Sequence, residues 1–564
     1  MYAYPQFPCR NVRSLDGFWE FAYLGADAPQ LEEIPVRTIV FDELMAVPGC
    51  FDAAPKYAGM RGVGAYRCTV EAPANTKLRL RLGGLGLRGR ILWDENDIAR
   101  NELPYSQQCY EFNAGPGLTH ELLILIDNRF HPVDTPLFHP FYDFYGYGGI
   151  YRSVELETLP EGVHFERVRI DTPDLSGRVV VSGKLSGGPA PLSAGFDGSE
   201  PEPVDGHFDG ETFTFEAQLD TPALWSPDSP NLHTVTLQAG NDAIVERFGI
   251  RTIACSRGKI LLNGRPIRLA GYNRHDTHPQ FGPAMNDELW IEDLQILRDL
   301  GCNFIRGCHY PQSQRFLDLC DQLGFLVWEE SLGWGDDANV QADPKFRRLQ
   351  LEQTVNMVET SINHPSVILW GFMNESGDDK EVGASLLREL AAAVRSIDRS
   401  RPVTNATMHI HESIALDAFD VISFNHYPGW YEQGNLSDPR PLDRIPAALD
   451  RVLAKLDGQE ILRDKPVILS EIGAGAIYGW RDRVRGIWSE EYQADYLDTV
   501  CRYFKSHDRL NGLALWQFSD GRTYAAANVL GRPRAFNNKG TLDEYRRPKL
   551  AYEVVKHHFK SLES

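Results

Sequence analysis

Two hydrophobic grammars divide this chain. Up to about Leu156 the apolar residues fall in short alternating runs, GFWEFAY, GAYRCTVEA, KLRLRLGG, ELLILID and GIYRSVELE, cut by Gly, Pro and Asn. Alternation puts successive side chains on opposite faces of a half-buried strand, and no run of helical period interrupts it, so the segment reads as an antiparallel sandwich or jelly roll. From about Pro160 to Ile253 the runs RVVVSGKL, ETFTFEAQL, HTVTLQAG and IVERFGI follow at the spacing of an immunoglobulin-like sandwich. Between them Ser186 to Gly206 is rich in Gly, Pro and acidic residues and reads as loop rather than core.

After Ile253 the pattern changes. Lys259 to Arg268 (KILLNGRPIR) reads as a hairpin on a primed Asn263-Gly264 turn. Short apolar runs then alternate with amphipathic helices such as DELWIEDLQILRDLG, SQRFLDLCDQLG and ASLLRELAAAVRSID. Candidate strands lie at 267–273, 303–307, 325–330, 367–375, 402–407, 421–427, 466–473 and 512–520. Eight strand–helix units in about 300 residues make a TIM barrel the economical solution. The expected division is a jelly-roll domain at 1–157, an immunoglobulin-like sandwich at 158–253 and a (β/α)8 barrel at 254–564.

Two of the barrel runs end in a carboxylate: VILWGFMNE at Glu375 and PVILSEIG at Glu471. On this count they close strands four and seven, whose tips face each other across the C-terminal mouth where such barrels keep their chemistry. Two facing carboxyls about 5 Å apart suit retaining glycoside hydrolysis, one attacking the anomeric carbon and the other protonating the leaving oxygen. The bland alternative, carboxylates capping helix N-termini, fits less well with their place after long buried runs. With 78 acidic against 57 basic residues the net charge of −21 argues against nucleic acid or an anionic membrane as partner. Nine cysteines without CxxC spacing indicate free thiols rather than a zinc site or disulfide framework. No basic and apolar leader opens the chain and no apolar run of about 18 residues occurs, so a cytoplasmic location is expected.

An ordered series of landmarks then resembles glycoside hydrolase family 2, and within it the β-glucuronidases, over essentially the full length. The landmarks are RSLDGFWEF (Arg13–Phe21), YDFYGYGGIYRSVEL (Tyr142–Leu156), GYNRHD (Gly271–Asp276), CHYPQS (Cys308–Ser313), NHPSVILWGFMNES (Asn363–Ser376) and NKGTLDEYRRPK (Asn538–Lys549). The resemblance implies that Glu375 is the acid/base, Glu471 the nucleophile, and that Asn374 binds the sugar 2-hydroxyl. It further implies that Asn537 and Lys539 form an Asn-x-Lys clamp for a uronic carboxylate, with Arg534 adding charge from the same loop. Asp143 would reach from the jelly roll to the sugar hydroxyls opposite the clamp. Tyr427, Tyr431 and Trp516 match substrate-contacting aromatics, Tyr427 as hydrogen-bond donor to the nucleophile, while His275 and His309 either line the pocket or hold structure.

The segment Ser331 to Lys345 is shorter than the loop that overhangs the mouth in relatives preferring small glucuronides, so larger or polymeric β-glucuronides are expected substrates, with Trp334 a stacking platform near the entrance. No His/Asp/Glu spacing requires a metal and no Gly-rich phosphate loop appears, so no cofactor is expected. A homo-oligomer, dimer or tetramer, is expected. The rival readings are a β-galacturonidase, which needs the same clamp, a β-galactosidase or β-mannosidase, and a non-catalytic carbohydrate-binding protein on the same scaffold.

Overall fold

The computed structural model describes residues 3–131, 133, 135–139, 142–431, 441–524 and 532–562. Alternating side chains build the first sandwich. A six-stranded sheet, in the order Glu43–Val47, Gly17–Gly25, Val63–Glu71, Thr119–Asp127, Arg88–Trp93 and Asn96–Asn101, packs on a four-stranded sheet of Asn11–Ser14, Val154–Thr158, Lys77–Leu82 and Gln108–Asn113. Every second residue of Lys77–Leu82 and Thr119–Asp127 enters their shared core, including Leu78, Leu80, Leu82, Leu122, Ile124 and Ile126.

The second sandwich packs two four-stranded antiparallel sheets around Phe165, Val179, Val181, Val235 and Leu237. Here the structure corrects one expectation. Within the segment read as loop, Leu192–Phe196 is a strand paired with His233–Ala239, and Glu202–Val204 pairs beyond it. Leu192 and Ala194 are buried in the core. The period-two pattern of LSAGF was masked by flanking Gly and Pro, and pairing to a strong neighbouring strand overrides weak local propensity.

The barrel strands are Leu269–Arg274, Phe304–Gly307, Leu326–Trp334, Val367–Asn374, a fifth strand in two pieces (Val403–Thr404 and Ala406–Thr407), Ile422–Asn425, Val467–Ile472 and Leu510–Leu515. All pair in parallel, and the order runs round the ring from one piece of the fifth strand to the other. The break is at Asn405, whose Nδ2 turns to donate to the carbonyls of Phe372 and Met373, each at 2.7 Å. Asn263 and Gly264, with φ of 51° and 76°, make the primed turn of the preceding hairpin.

Buried charge fastens the domains together. The Arg10 guanidinium donates to Glu157 of the jelly roll (2.6 Å), to Asp242 of the second sandwich (2.6 Å) and to the Phe165 carbonyl (2.7 Å). Arg247 of the second sandwich donates to Asp318 on the barrel helix Gln314–Leu323 at 2.5 Å. From the jelly roll, residues 142–147 lie against the loop after the eighth barrel strand, with Gly146 N–H donating to Tyr524 Oη (2.6 Å) and Tyr145 N–H to the Arg522 carbonyl (3.1 Å). Replacing Arg10 by Ala strips a buried cation from two carboxylates, which costs about 3–5 kcal/mol. The first urea unfolding transition should shift to lower denaturant by a matching amount, and an unmoved transition would show that the two sandwiches hold together without it.

Candidate active site

Glu375 follows the fourth strand directly. Met373 and Glu375 both have left-handed backbones, with φ of 51° and 50°. Such strain in non-glycine residues persists only where neighbours enforce it. Here the Asn405 amide holds the two preceding carbonyls, and Glu375 N–H donates to the Ala406 carbonyl at 2.9 Å. The bend turns the half-buried Glu375 side chain into a cavity of about 440 Å³ lined also by Asp143, Trp334, Met408, Tyr427, Tyr431, Glu471, Trp516 and Arg532. Neither glutamate caps a helix: Lys380, not Glu375, precedes the helix Glu381–Ile397, and Glu471 lies within the seventh strand.

The two carboxyls differ in their partners. Glu471 Oε1 accepts from Arg306 (2.7 Å) and Oε2 from the Tyr427 hydroxyl (2.7 Å), as expected for that tyrosine. Among the described residues the Glu375 carboxyl has one hydrogen-bond partner, the Asn425 amide at 2.8 Å. Burial first, then the charge of Glu471, push the Glu375 carboxyl up to about 8. Burial also raises Glu471, but Arg306 and Tyr427 oppose it and hold it at about 7. Both carboxyls are raised, Glu375 further than Glu471, because only Glu471 has a cation against it.

Sequence reasoning missed Arg306. It is fully buried in the second strand, bonded to both oxygens of Glu330, to Glu471, and to the Oδ1 atoms of Asn273 (3.0 Å) and Asn374 (2.8 Å). The signal was an arginine inside the apolar run NFIRG, a charge where a buried strand tolerates none without partners. With Arg306 and Asn425 both donating to Asn374 Oδ1, the amide orientation is set, and its buried Nδ2 has no protein partner among the described residues.

The clamp residues converge. Asn537 Nδ2 donates to Asp143 Oδ2 at 2.7 Å. Lys539, 2% exposed, donates to the Tyr431 hydroxyl and faces the rings of Tyr427, Trp430 and Tyr431 at 5.6, 5.6 and 4.6 Å. Among the described residues no carboxylate lies within 4 Å of its Nζ. Burial, then Arg532, push the ammonium well below the usual lysine range. Two expectations are corrected. Arg534 turns outward to Glu544 (2.9 Å), and Arg532 takes the interior place with a bidentate pair to Asp143 at 2.8 and 2.7 Å. Asp143 therefore sits beside the clamp rather than opposite it, because the Arg532 fork holds it there; burial disfavours its charge, but Arg532 and Lys539 keep the carboxyl below the usual range.

Trp516 lines the cavity with His309 stacked on it (5.3 Å) and His275 against its edge (5.5 Å). Burial pushes both imidazoles well below the usual histidine range, Arg306 adding to the effect on His309 and the His309 ring to that on His275. Nδ1 of His309 lies 2.8 Å from Glu330 and Nδ1 of His275 3.3 Å from the Tyr310 hydroxyl, while among the described residues neither Nε2 has a hydrogen-bond partner, that of His309 lying 3.8 Å from Glu471 Oε1. Two groups place metal-type donor atoms within 4.8 Å of one another, His275/Cys308/His309 and Asp318/Asp321/His364. Arg306 already touches the first and Arg247 the second, so the charge a metal would carry is present in each.

Two β-sandwiches feeding a barrel whose mouth brings together two carboxyls, one of them held by a guanidinium and a tyrosine, make the architecture of a glycoside hydrolase. Residues 253–564 match the glycosyl hydrolases family 2 TIM barrel domain and residues 164–251 match glycosyl hydrolases family 2. The chain belongs to glycosyl hydrolases family 2. It is 28% identical to a β-glucuronidase of Streptococcus agalactiae over 97% of this chain and 95% of that one. It is also 28% identical to a putative β-glucuronidase of Formosa agariphila over 78% of its length, spanning 56% of that relative. The structure resembles a β-galacturonidase from Eisenbergiella tayi bound to galacturonate, with a TM-score of 0.89, 31% identity and coverage of 100% of this chain and 98% of that one. No helix among the described residues is long and apolar enough to cross a membrane.

The Arg306 geometry predicts a pH effect. Arg306→Gln leaves Glu330 and Glu471 as buried carboxylates without a cation, so the acid limb of kcat/KM should move to higher pH and the rate at its optimum should fall roughly a hundredfold or more. An acid limb unchanged in position would separate Arg306 from the ionisation of Glu471.

Proposed function

We propose that the protein is a retaining exo-β-glucuronidase acting on small-molecule or oligosaccharide β-D-glucuronides. The observation that carries this is Lys539: a buried lysine with Asn537 and Arg532 beside it and, among the described residues, no ion pair of its own. A buried charge is tolerated when something compensates it, and a uronate carboxylate arriving with the substrate is that compensation. A neutral hexose would leave the cation unmet, which disfavours the galactosidase and mannosidase readings. The relatives named β-glucuronidase support the same conclusion. The 31% likeness to a β-galacturonidase supports the second reading, since the clamp serves both sugars and only the C4 hydroxyl distinguishes them. A panel of aryl glucuronide, galacturonide, galactoside and mannoside tests the choice.

In this reading Glu471, oriented by Arg306 and Tyr427, attacks the anomeric carbon while Glu375 protonates the leaving oxygen; Glu375, then ionised, takes a proton from water as the glycosyl ester is hydrolysed. The bare Nδ2 of Asn374 donates to the 2-hydroxyl, a bond that strengthens as positive charge develops on the ring. Asp143, His275 and His309 offer acceptors to the remaining hydroxyls, and Trp516 and Tyr431 flank the sugar. The nine free thiols support a reducing, cytoplasmic setting. A homo-oligomeric assembly belongs to the same proposal and is read directly from solution mass.

The clamp predicts a selective defect. Lys539→Ala strands the substrate carboxylate at a cost of about 2–5 kcal/mol. Aryl glucuronide turnover should drop by orders of magnitude, while any trace activity on the matching glucoside holds or rises. Equal losses on both would make Lys539 structural. The roles of the glutamates predict different leaving-group behaviour. Glu375→Gln should spare activated aryl substrates far more than poor leaving groups, whereas Glu471→Gln should abolish turnover of all of them. A 2-fluoro glucuronide should label the peptide carrying Glu471, and label on Glu375 would reverse the assignment.

A further inference from the structure

On the Glu375 side the cavity wall changes character. Trp334 ends the third barrel strand, pairs in register with Asn374 and lines the cavity together with Met408, which is 52% exposed. Glu375 lies between the two strand ends that carry them, so an indole and a thioether stand on the wall either side of it. Trp334 does not stand alone. The buried Tyr142 meets its ring edge-on at 6.1 Å, and the Tyr142 hydroxyl donates to the Leu137 carbonyl at 2.6 Å. His139 Nε2 lies 3.2 Å from Oδ1 of the buried Asp336, two residues past Trp334, and its ring packs against Tyr142 at 4.6 Å. Residues of the jelly roll thus reach both ends of the cavity: Asp143 touches Arg532 and Asn537, while Tyr142 and His139 hold Trp334 and the turn that follows it.

We infer that Trp334 is the platform for the aglycone, that the aglycone presents a flat apolar face, and that His139 and Tyr142 are positioning residues for it. The inference rests on the glucuronidase reading and deepens it. An aromatic ring and the apolar face of a second pyranose share this chemistry, since both stack on an indole. Met408 opposite supplies an unbranched, polarisable side chain that adapts to either.

The test uses W334L, which keeps apolar volume without a flat face, W334F, which keeps a flat face, and H139A. Each is assayed on a nitrophenyl glucuronide, a glucuronyl disaccharide and methyl glucuronide. W334L should lose about tenfold or more in kcat/KM, mainly through KM, on at least one of the two flat aglycones, and stay within about twofold on the methyl glycoside, which has little area to stack. Whether the nitrophenyl substrate or the disaccharide falls further identifies the source of the flat face. W334F should recover most of the loss, and H139A should fall in the same direction by less. Equal losses on all three substrates, or no loss on either flat aglycone, overturn the platform. A selective W334L with H139A unchanged on every substrate overturns the positioning role. If the wild type cleaves galacturonides and no glucuronide, the sugar assignment fails alone, and the same three aglycones on galacturonic acid carry the test.

Discussion

The catalytic floor depends on one guanidinium. Arg306 is buried among barrel strands, over the Trp328 ring at 4.6 Å, and a buried guanidinium is tolerable only if its five N–H groups find acceptors. They do: Nε meets Glu330, one terminal nitrogen meets Asn273 and Glu471, and the other meets Glu330 and Asn374. Residues from five barrel strands are thereby set in one geometry; one of them, Glu471, lines the cavity, and another, Asn374, directly precedes Glu375, which also lines it. One cation serves two carboxylates, so neither is fully compensated. Burial therefore leaves Glu330 raised and Glu471 at about 7 instead of in the usual carboxylate range.

The two halves of the pocket carry opposite imbalances. On the floor, Glu330 and Glu471 share Arg306 and leave one negative charge unmet. On the wall, Asp143 faces Arg532, with Lys539 close by and held below the usual lysine range first by burial and then by Arg532. In the proposed reaction a uronide bridges the two. Its carboxylate faces the wall, and the positive charge developing at its anomeric centre faces the floor. The ring thus meets favourable fields at both ends, with the second field felt only as the transition state forms, which is the kind of interaction that raises turnover.

The barrel, and the two carboxyls that meet in its cavity, were legible in the sequence because strand periodicity and terminal polarity are local signals: a continuous apolar run ending in Asn374-Glu375 needs no distant information. Tyr427 could be assigned through its motif. Arg534 and Arg532 could not be told apart, since two arginines in one short loop differ only in which meets a partner, and those partners, Glu544 and Asp143, lie on different elements. Asp143 was found but placed on the wrong side for the same reason. Arg306 escaped because its meaning resides in Glu330, Asn273 and Asn374, each harmless alone. The strand Leu192–Phe196 escaped because its neighbour in the sheet is distant in the chain, 47 residues away where Leu192 pairs with Ala239 and 39 where Phe196 pairs with Val235.

The jelly roll is consequently part of the active site and not an appendage to it. Asp143 balances Arg532 across nearly 400 residues of chain, 389 in their hydrogen bond, and without it the wall would hold two cations with nothing between them. Like charges so placed repel, so the loop carrying Arg532 is held in its inward position by a residue from another domain. Arg10 and Arg247 fix the sandwiches against each other and against the barrel. An interface sealed by fully buried ion pairs resists the relative motion usual between domains of one chain. That rigidity is what lets a loop of one domain hold, to within hydrogen-bond tolerance, a clamp that belongs to another.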